Sequence, residues 1–398
     1  MMCDGIAAEW LTDAHRELGN RARAYFDPGW LARWRTAPGG HLRREAWRDL
    51  AAHGFLGVSL PREHGGQGLG LLGALVLSEV LAGLGDSGPA LGMHVDNEVA
   101  GEWLVRAADP ALRERWLPRL LAGDAVACQC DTDPSADEPT TAVALGGPGG
   151  DIRIDGRKNF VVNGANADVC FVSVVLDGRP AIVLVEKERT GVHVRHVYDK
   201  LGTRAVDSAL LEFDGVRVPA THVVTRSGLS QLMIWNRVMS RMRFLIAADA
   251  YFLHRLLLTH LTGHAERRRL GGRPLGQWPV NAHALARARA DQELMTAGLA
   301  DGYRRLAEGA AVPEIAELKW FCVEKATELA VLGTDLEGGA GYMWDSVALR
   351  AHAQLRGLRM AGGSQTTMLT IANHSMACRA ELADRPHAPT ATGRPAHA

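Results

Sequence analysis

The apolar residues of this 398-residue chain change their spacing twice, and that double switch limits the folds open to it. Up to residue 124, Ala, Leu and Arg recur at i, i+3 and i+4 through 7–24, 42–52 and 72–84, the period of helices with one buried face. Gly39-Gly40 and Gly65-Gly66-Gln67-Gly68 break these segments, and Gly85 to Pro89 reads as a helix stop, a cap and a new start. From 125 to 228 the runs become short and β-branched, at 152–154, 159–163, 169–176, 181–185, 192–197 and 209–213. Asp155-Gly156, Asp177-Gly178 and Asp214-Gly215 stand between them as hairpin signals. Such a block predicts a small β-sandwich or barrel. Long helical patterns return at 232–265, 280–308, 313–332 and 346–360, lengths that suit a bundle. The expected fold is therefore α+β and multidomain. An N-terminal α-helical domain (1–124) precedes the β-domain (125–228), a C-terminal four-helix bundle (229–382) and a Pro-, Thr-, Ala- and His-rich tail (383–398) expected to be disordered.

Composition excludes several classes. A net charge of −1 leaves no basic face for nucleic acid. No apolar run reaches the ~18–20 residues of a membrane span, and the N-terminus lacks the regions of a secretory signal. Six scattered cysteines do not form a disulfide framework, so the expected compartment is the cytoplasm. The Gly66 to Gly70 run lacks the preceding strand and spacing of a dinucleotide fingerprint and reads as a turn. Cys128-Gln129-Cys130 puts two thiols on one side of a strand, but zinc wants CxxC-type spacing and a second pair, so no metal site is expected. P-loop, HExxH and GxSxG motifs are absent.

Five segments occur in a telling order. They are Pro61-Arg62-Glu63-His64-Gly65-Gly66-Gln67-Gly68; Asp131-Thr132-Asp133-Pro134; Gly156-Arg157-Lys158-Asn159-Phe160-Val161-Val162-Asn163-Gly164; Lys200-Leu201-Gly202-Thr203-Arg204 running on to Val218-Pro219; and Glu266-Arg267 with Gly338-Gly339-Ala340-Gly341. Together, over residues 45–380, they resemble the acyl-CoA dehydrogenase flavoprotein family. The resemblance implies FAD between the β-domain and the bundle, with a neighbouring subunit of a homodimer or homotetramer completing the site. Thr132 would approach the isoalloxazine, Phe160 would cover it, and Val162 stands where a threonine often reaches flavin N5. Arg267 would meet the pyrophosphate across the subunit interface, where a guanidinium suits phosphate. Gly338 and Gly339 would let backbone approach the same cofactor.

The resemblance also locates what is missing. Family dehydrogenases remove a substrate α-proton with a glutamate, and the position counted for it holds Gly362. A minority place the base on the first bundle helix, and that count falls on Arg241, which cannot accept a proton but can hold a carboxylate or negative charge. Asp131, beside Thr132, and Asp249, two helical turns from Arg241, are the carboxylates left as candidate bases. His94, Asp96 and Glu98 lie where relatives line the acyl pocket, although a solvated helix end explains their polarity more simply. Asp137-Glu138-Pro139 replaces the usual segment near CoA, and Asp335 replaces a glutamine near the pyrophosphate. The implied activity is an FAD-dependent oxidoreductase of the CH–CH type, with a small acyl substrate on an acyl carrier protein, free, or on CoA. Electrons would pass to an electron-acceptor flavoprotein or to oxygen. A flavin-dependent monooxygenase or oxidase, and a non-catalytic family member, stand as alternatives.

Overall fold

The structure is a computed structural model that describes residues 4–37, 40–147, 149–309 and 311–383, and it keeps the helical, β, helical order. The N-terminal helices are α1 (Asp4–Ala7), α2 (Asp13–Tyr25), α3 (Trp30–Trp34), α4 (Glu45–Ala52), α5 (Gly70–Ala82), α6 (Gly88–Met93), α7 (Glu102–Arg106) and α8 (Pro110–Leu121). Helix α5 is apolar apart from Ser78 and Glu79 because most of its surface is covered, packing on α2 and on the first long helix of the bundle. Helix α6 continues into a π-helical stretch, His94–Gly101, before α7. Here the sequence reading needs correction. His94, Asp96 and Glu98 are not a solvated helix end: every residue of the stretch is buried.

Eight strands follow: β1 (Ala127–Cys130), β2 (Thr141–Ala144), β3 (Ile152–Val162), β4 (Val169–Leu176), β5 (Arg179–Glu186), β6 (Val192–Val197), β7 (Ser208–Val218) and β8 (Val223–Arg226). They form one sheet in the order β6-β7-β3-β2-β4-β5-β8, with β1 beside β4 in parallel. The sheet encloses its own core, to which Ile154, Val161, Val172, Leu211 and Phe213 contribute from three strands. At the β4–β5 hairpin Asp177 and Gly178 both take positive φ (47° and 79°), as a two-residue turn of this twist requires. In the same core, Cys128 on β1 is paired in register with Cys170 on β4. The thiols of Cys128, Cys130 and Cys170 lie within 4.8 Å of one another, a grouping hidden from the local spacing. Cys170 stands on another strand, forty residues away from Cys130. Fully buried among apolar side chains, these thiols fill core space as small hydrophobes do.

The bundle comprises α9 (Leu229–Arg267), a short hairpin of β9 (Arg269–Leu270) and β10 (Arg273–Pro274), then α10 (Pro279–Glu308), α11 (Val312–Glu337), α12 (Val347–Leu358) and α13 (Gln365–Ala383). Helix α9 is its axis and packs on α5, α10, α11 and α12, so all residues from Val238 to His254 are buried. That explains a second departure from the sequence reading. Over 39 residues α9 is long and apolar enough to cross a membrane, but 78% of its most apolar window is buried inside the protein, as in a core helix. Of the expected disordered tail, residues 384–398 lie outside the described residues.

The β-domain meets the bundle through the loop after β6. A Cβ at Gly202 would sit 2.0 Å from the carbonyl oxygen of Ala353 on α12, so only glycine permits this approach. Beside it, Gln354 Oε1 accepts hydrogen bonds from the backbone N–H of Thr203 (2.7 Å) and of Ser87 (3.2 Å), tying all three parts together. Gly202→Ala is expected to cost roughly 1–3 kcal/mol through overpacking of this seam, read as a lowered Tm in thermal denaturation.

Candidate functional site

The side chains singled out at the end of β1 and along β3 form an exposed ledge. Strand β3 loses register with β7 between Lys158 and Val161, and this bulge releases Phe160 from the pleat. Phe160 takes φ 55°, is 61% exposed, and is met by the Tyr198 ring at 5.1 Å. A large aromatic in the left-handed region is an unfavourable local choice that the surrounding structure must hold. The adjoining strand end is held from behind by the buried Lys158, whose Nζ lies 2.8 Å from Asp133 Oδ1 and donates to the Asp131 carbonyl (3.1 Å) and Ser173 Oγ (3.2 Å). The Asn159 N–H donates to the Thr132 carbonyl at 2.7 Å, which sets Thr132 beside the Phe160 segment with its side chain exposed. Val162 is half-buried at the end of β3. Asp131 accepts from Gln129 Nε2 at 2.6 Å, while burial pushes its carboxyl above the usual range.

A second exposed group lies at the far ends of α9 and α11. Arg267 ends α9, Arg268 follows it, and among the described residues no carboxylate pairs with either. Gly338 ends α11 with φ 63°, and a Cβ at Gly338 or Gly339 would meet nothing within 4 Å. The neighbouring Asp335 is exposed. An accessible aromatic face with a hydroxyl at its edge, a guanidinium pair and an unobstructed glycine surface are the donor set a flavin dinucleotide requires. These residues fit the FAD that the resemblance implies.

Position 362, where the count placed a base, is held in a conformation that strains any residue but glycine. Gly362 has φ 63°, and a Cβ there would stand 2.9 Å from Ile246 Cδ1. Its carbonyl accepts from Arg243 Nε at 3.0 Å. The buried Lys319 Nζ donates to the carbonyls of Gly363 (2.8 Å) and Arg359 (3.2 Å) and to Gln365 Oε1 (3.1 Å). Burial, with Arg243 and Arg359 adding repulsion, pushes the Lys319 ammonium down to about 7. The loop is pinned from both sides.

Arg241 belongs to a different group. Its guanidinium pairs with Glu98 of the π-helical stretch, and its Nε lies 3.8 Å from Glu102 Oε1. Ser59 Oγ donates to the other oxygen of Glu98, Arg106 pairs with Glu102, and Arg237 Nε lies 3.5 Å from Glu102 Oε2. Burial would raise the Glu102 carboxyl, but Arg241, Arg106 and Arg237 outweigh it and hold it below the usual range. Arg106, Arg237 and Arg241 face a cavity of about 830 Å³ between α7, the first half of α9 and the α10–α11 turn. Asp249 sits deeper on α9, paired with His94 Nε2 at 3.1 Å, with Ser78 Oγ 3.3 Å from the same nitrogen.

The structure therefore gives Arg241, Asp249 and Asp131 three separate sets of partners rather than one constellation. Sequence reasoning passed over Glu102, Arg106 and Arg237. The available signal was the pairing of Glu98 with Glu102 and of Arg237 with Arg241, each four apart in otherwise apolar segments. Asp96, in the same π-helical stretch, accepts the Ala127 N–H at 2.7 Å through Oδ1, and its Oδ2 is buried with no partner. Burial pushes this carboxyl up to about 7. An acid raised on folding contributes stability below its unfolded value, near 3.8, and loses it as pH rises through the folded one. Between about pH 4 and pH 7 the protein is expected to lose up to ~1.4 kcal/mol per pH unit from this group. Asp96→Asn, which keeps the acceptor, flattens that slope when Tm is followed against pH.

Three family models cover most of the chain. The acyl-CoA dehydrogenase N-terminal domain matches residues 12–124, the middle domain 131–216 and the C-terminal domain 228–377. The mitochondrial long-chain specific acyl-CoA dehydrogenase of Sus scrofa is 26% identical over 350 residues, covering 85% of this chain and 80% of the relative. A solved structure of a probable acyl CoA dehydrogenase from Mycobacterium abscessus is 26% identical with a TM-score of 0.82, covering 92% of this chain and 100% of the other. A glutaryl-CoA dehydrogenase from Mycobacterium smegmatis in complex with FADH2 shares the fold, with a TM-score of 0.81 at 24% identity over 92% of this chain and 95% of the other.

Proposed function

The chain belongs to the acyl-CoA dehydrogenase family, and from that premise we propose that it is an FAD-dependent oxidoreductase that oxidises an acyl substrate held on a carrier protein. Thr132 and Phe160 would hold the isoalloxazine, while Arg267, Gly338 and Gly339 would hold the pyrophosphate, Arg267 from a second subunit of a homodimer or homotetramer. FAD, when bound, supplies an acceptor for two electrons from a substrate C–H bond. The chain's own residues must position the acyl group, exclude water and take the proton.

The observation that carries the reading of the chemistry is the backbone at Gly362. Gly362 carries no side chain and sits in the left-handed region, where a carboxylate-bearing residue would be strained, so this chain has no proton acceptor at that position. Asp249 is committed to His94 in the core. Asp131 is the candidate that adjoins Thr132, keeps some exposure and is raised by burial, the direction that suits a proton acceptor near neutral pH. Arg241, at the wall of the cavity, is assigned to orienting the acyl group. A carrier-bound substrate is favoured over CoA because the segment after Pro134 exposes Asp137, whose carboxylate would repel the phosphates of CoA, while the neighbouring Glu138 lies 3.3 Å from Arg157. Cytoplasmic reducing conditions suit the free thiols Cys128, Cys130, Cys170 and Cys322.

The same position favours a second reading, a flavin-dependent monooxygenase or oxidase, because oxygen-linked chemistry needs no carboxylate at 362. Product analysis with isotopic oxygen separates the two, since only a monooxygenase leaves the label in the product. The purified protein is expected to be yellow and to bleach anaerobically with a carrier-bound acyl thioester. Colourless protein that takes up no added FAD overturns the proposal. Asp131→Asn is expected to lower the bleaching rate about 100-fold, the usual scale of a general base. Asp249→Asn should lower Tm while leaving that rate within about fivefold, as for a core pair outside the reaction.

A further inference from the structure

Of the four cysteines whose side chains the structure describes, three meet at one point. Residues two apart on a strand share a face, so Cys128 and Cys130 both turn into the core of the sheet. The parallel register then sets Cys170 of β4 directly beside Cys128. Cys128 Sγ and Cys130 Sγ are 3.6 Å apart, a hydrogen bond internal to the trio, and all three sulfurs lie within 4.8 Å of one another. Atoms so spaced share a point no more than about 2.8 Å from each, against ~2.3 Å for a metal–thiolate bond. Movement of about half an ångström in each side chain closes that difference.

The donors restrict the ion. No imidazole or carboxylate joins the trio among the described residues, and Cys322 stands apart in α11 of the bundle. Zinc closes its structural sites with four ligands and lacks one here, as the local spacing already implied. Magnesium and calcium want oxygen ligands, which the trio does not offer. A soft ion selected by sulfur remains, and in a fully buried apolar core a single charge costs less desolvation than two.

We propose that Cys128, Cys130 and Cys170 form a three-sulfur site for one copper(I) ion, which ties β1 to β4 just before the chain reaches Thr132. As thiols the three pack like small apolar side chains; as ligands they chelate. Each bond from copper to a thiolate releases that thiol's proton to solvent, and no electron is transferred. The sulfurs have no contact with solvent, so uptake follows opening of β1, a four-residue strand that pairs only with β4.

The test uses the full chain carrying Cys3→Ser, Cys322→Ala and Cys378→Ser, so that the trio holds its only thiols. Reduced protein is incubated anaerobically with copper(I) buffered by a competing chelator, with and without urea below the unfolding transition. One ion per chain is expected to remain after desalting, with uptake faster in urea. X-ray absorption is expected to show three sulfur neighbours at ~2.3 Å. The loaded protein is expected to melt at a higher Tm, because the ion binds the folded site. Cys170→Ala and Cys128→Val are each expected to weaken copper by more than the ~10–100-fold typical of losing an outer-shell partner. Should either variant fail to fold, the sulfur count and the Tm shift of the parent decide. No retained ion, fewer than three sulfur neighbours, an unmoved Tm, or copper affinity unchanged in both folded variants overturns the inference. Zinc held as tightly as copper(I) overturns the choice of ion. None of these readings depends on flavin colour, so this inference and the flavoprotein reading stand or fall separately.

Discussion

A guanidinium in the middle of a helix buried on every side has to be matched, and much of this molecule follows from that requirement. Arg241 lies within the continuously buried stretch of α9, and its match comes from Glu98 and Glu102, beyond α6 in the N-terminal domain. Removing either side would leave an unpaired charge in the interior, a far larger penalty than the pair's own net contribution. The network therefore works as a register device. It holds the N-terminal domain against α9 at one relative position, which apolar packing between the smooth faces of α5 and α9 would define less sharply. The π-helical geometry of 94–101 belongs with this, since a widened turn is the usual mark of a helix bent to a local demand rather than to its own propensity.

The proposed chemistry is divided between two surfaces of different character. The ledge at Phe160 and Thr132 is open and made of flat or small groups, so its complement is a flat ligand that supplies the missing wall. The cavity at Arg241 is lined by charge that is already largely spent on internal carboxylates. The 359–363 loop is fixed by Lys319 and Arg243, with Gly362 in the left-handed region that favours glycine.

Much of the architecture was legible because it is written in period. Helical spacing, hairpin dipeptides and four long amphipathic or apolar runs are local signals, and the elements they predict are present. Phe160, Thr132 and Arg267 were also legible as candidates, because ordered segments resembling a family carried them. Other features were hidden for a common reason. The burial of His94, Asp96 and Glu98, the third thiol Cys170 and the partners of Arg241 all depend on which strand or helix lies opposite. A polar residue in a helical pattern has the same local sequence whether it faces water or a guanidinium from a distant helix. The membrane-like hydropathy of α9 misleads for the same reason, since an apolar helix is equally content in lipid and in a protein core.

By itself, then, the sequence determined the succession of helical and β segments, the glycines where the backbone must turn left, and the absence of a proton acceptor at 362. Those properties belong to residues and their immediate neighbours, so the linear order carries them. Only the tertiary structure decided that Arg241 is shared between Glu98 and Glu102, that Asp249 is bound to His94, and that a polar cavity remains beside them. Charge pairing in the interior is settled by distances of a few ångströms between elements far apart in the chain, and no pattern along the chain records those distances.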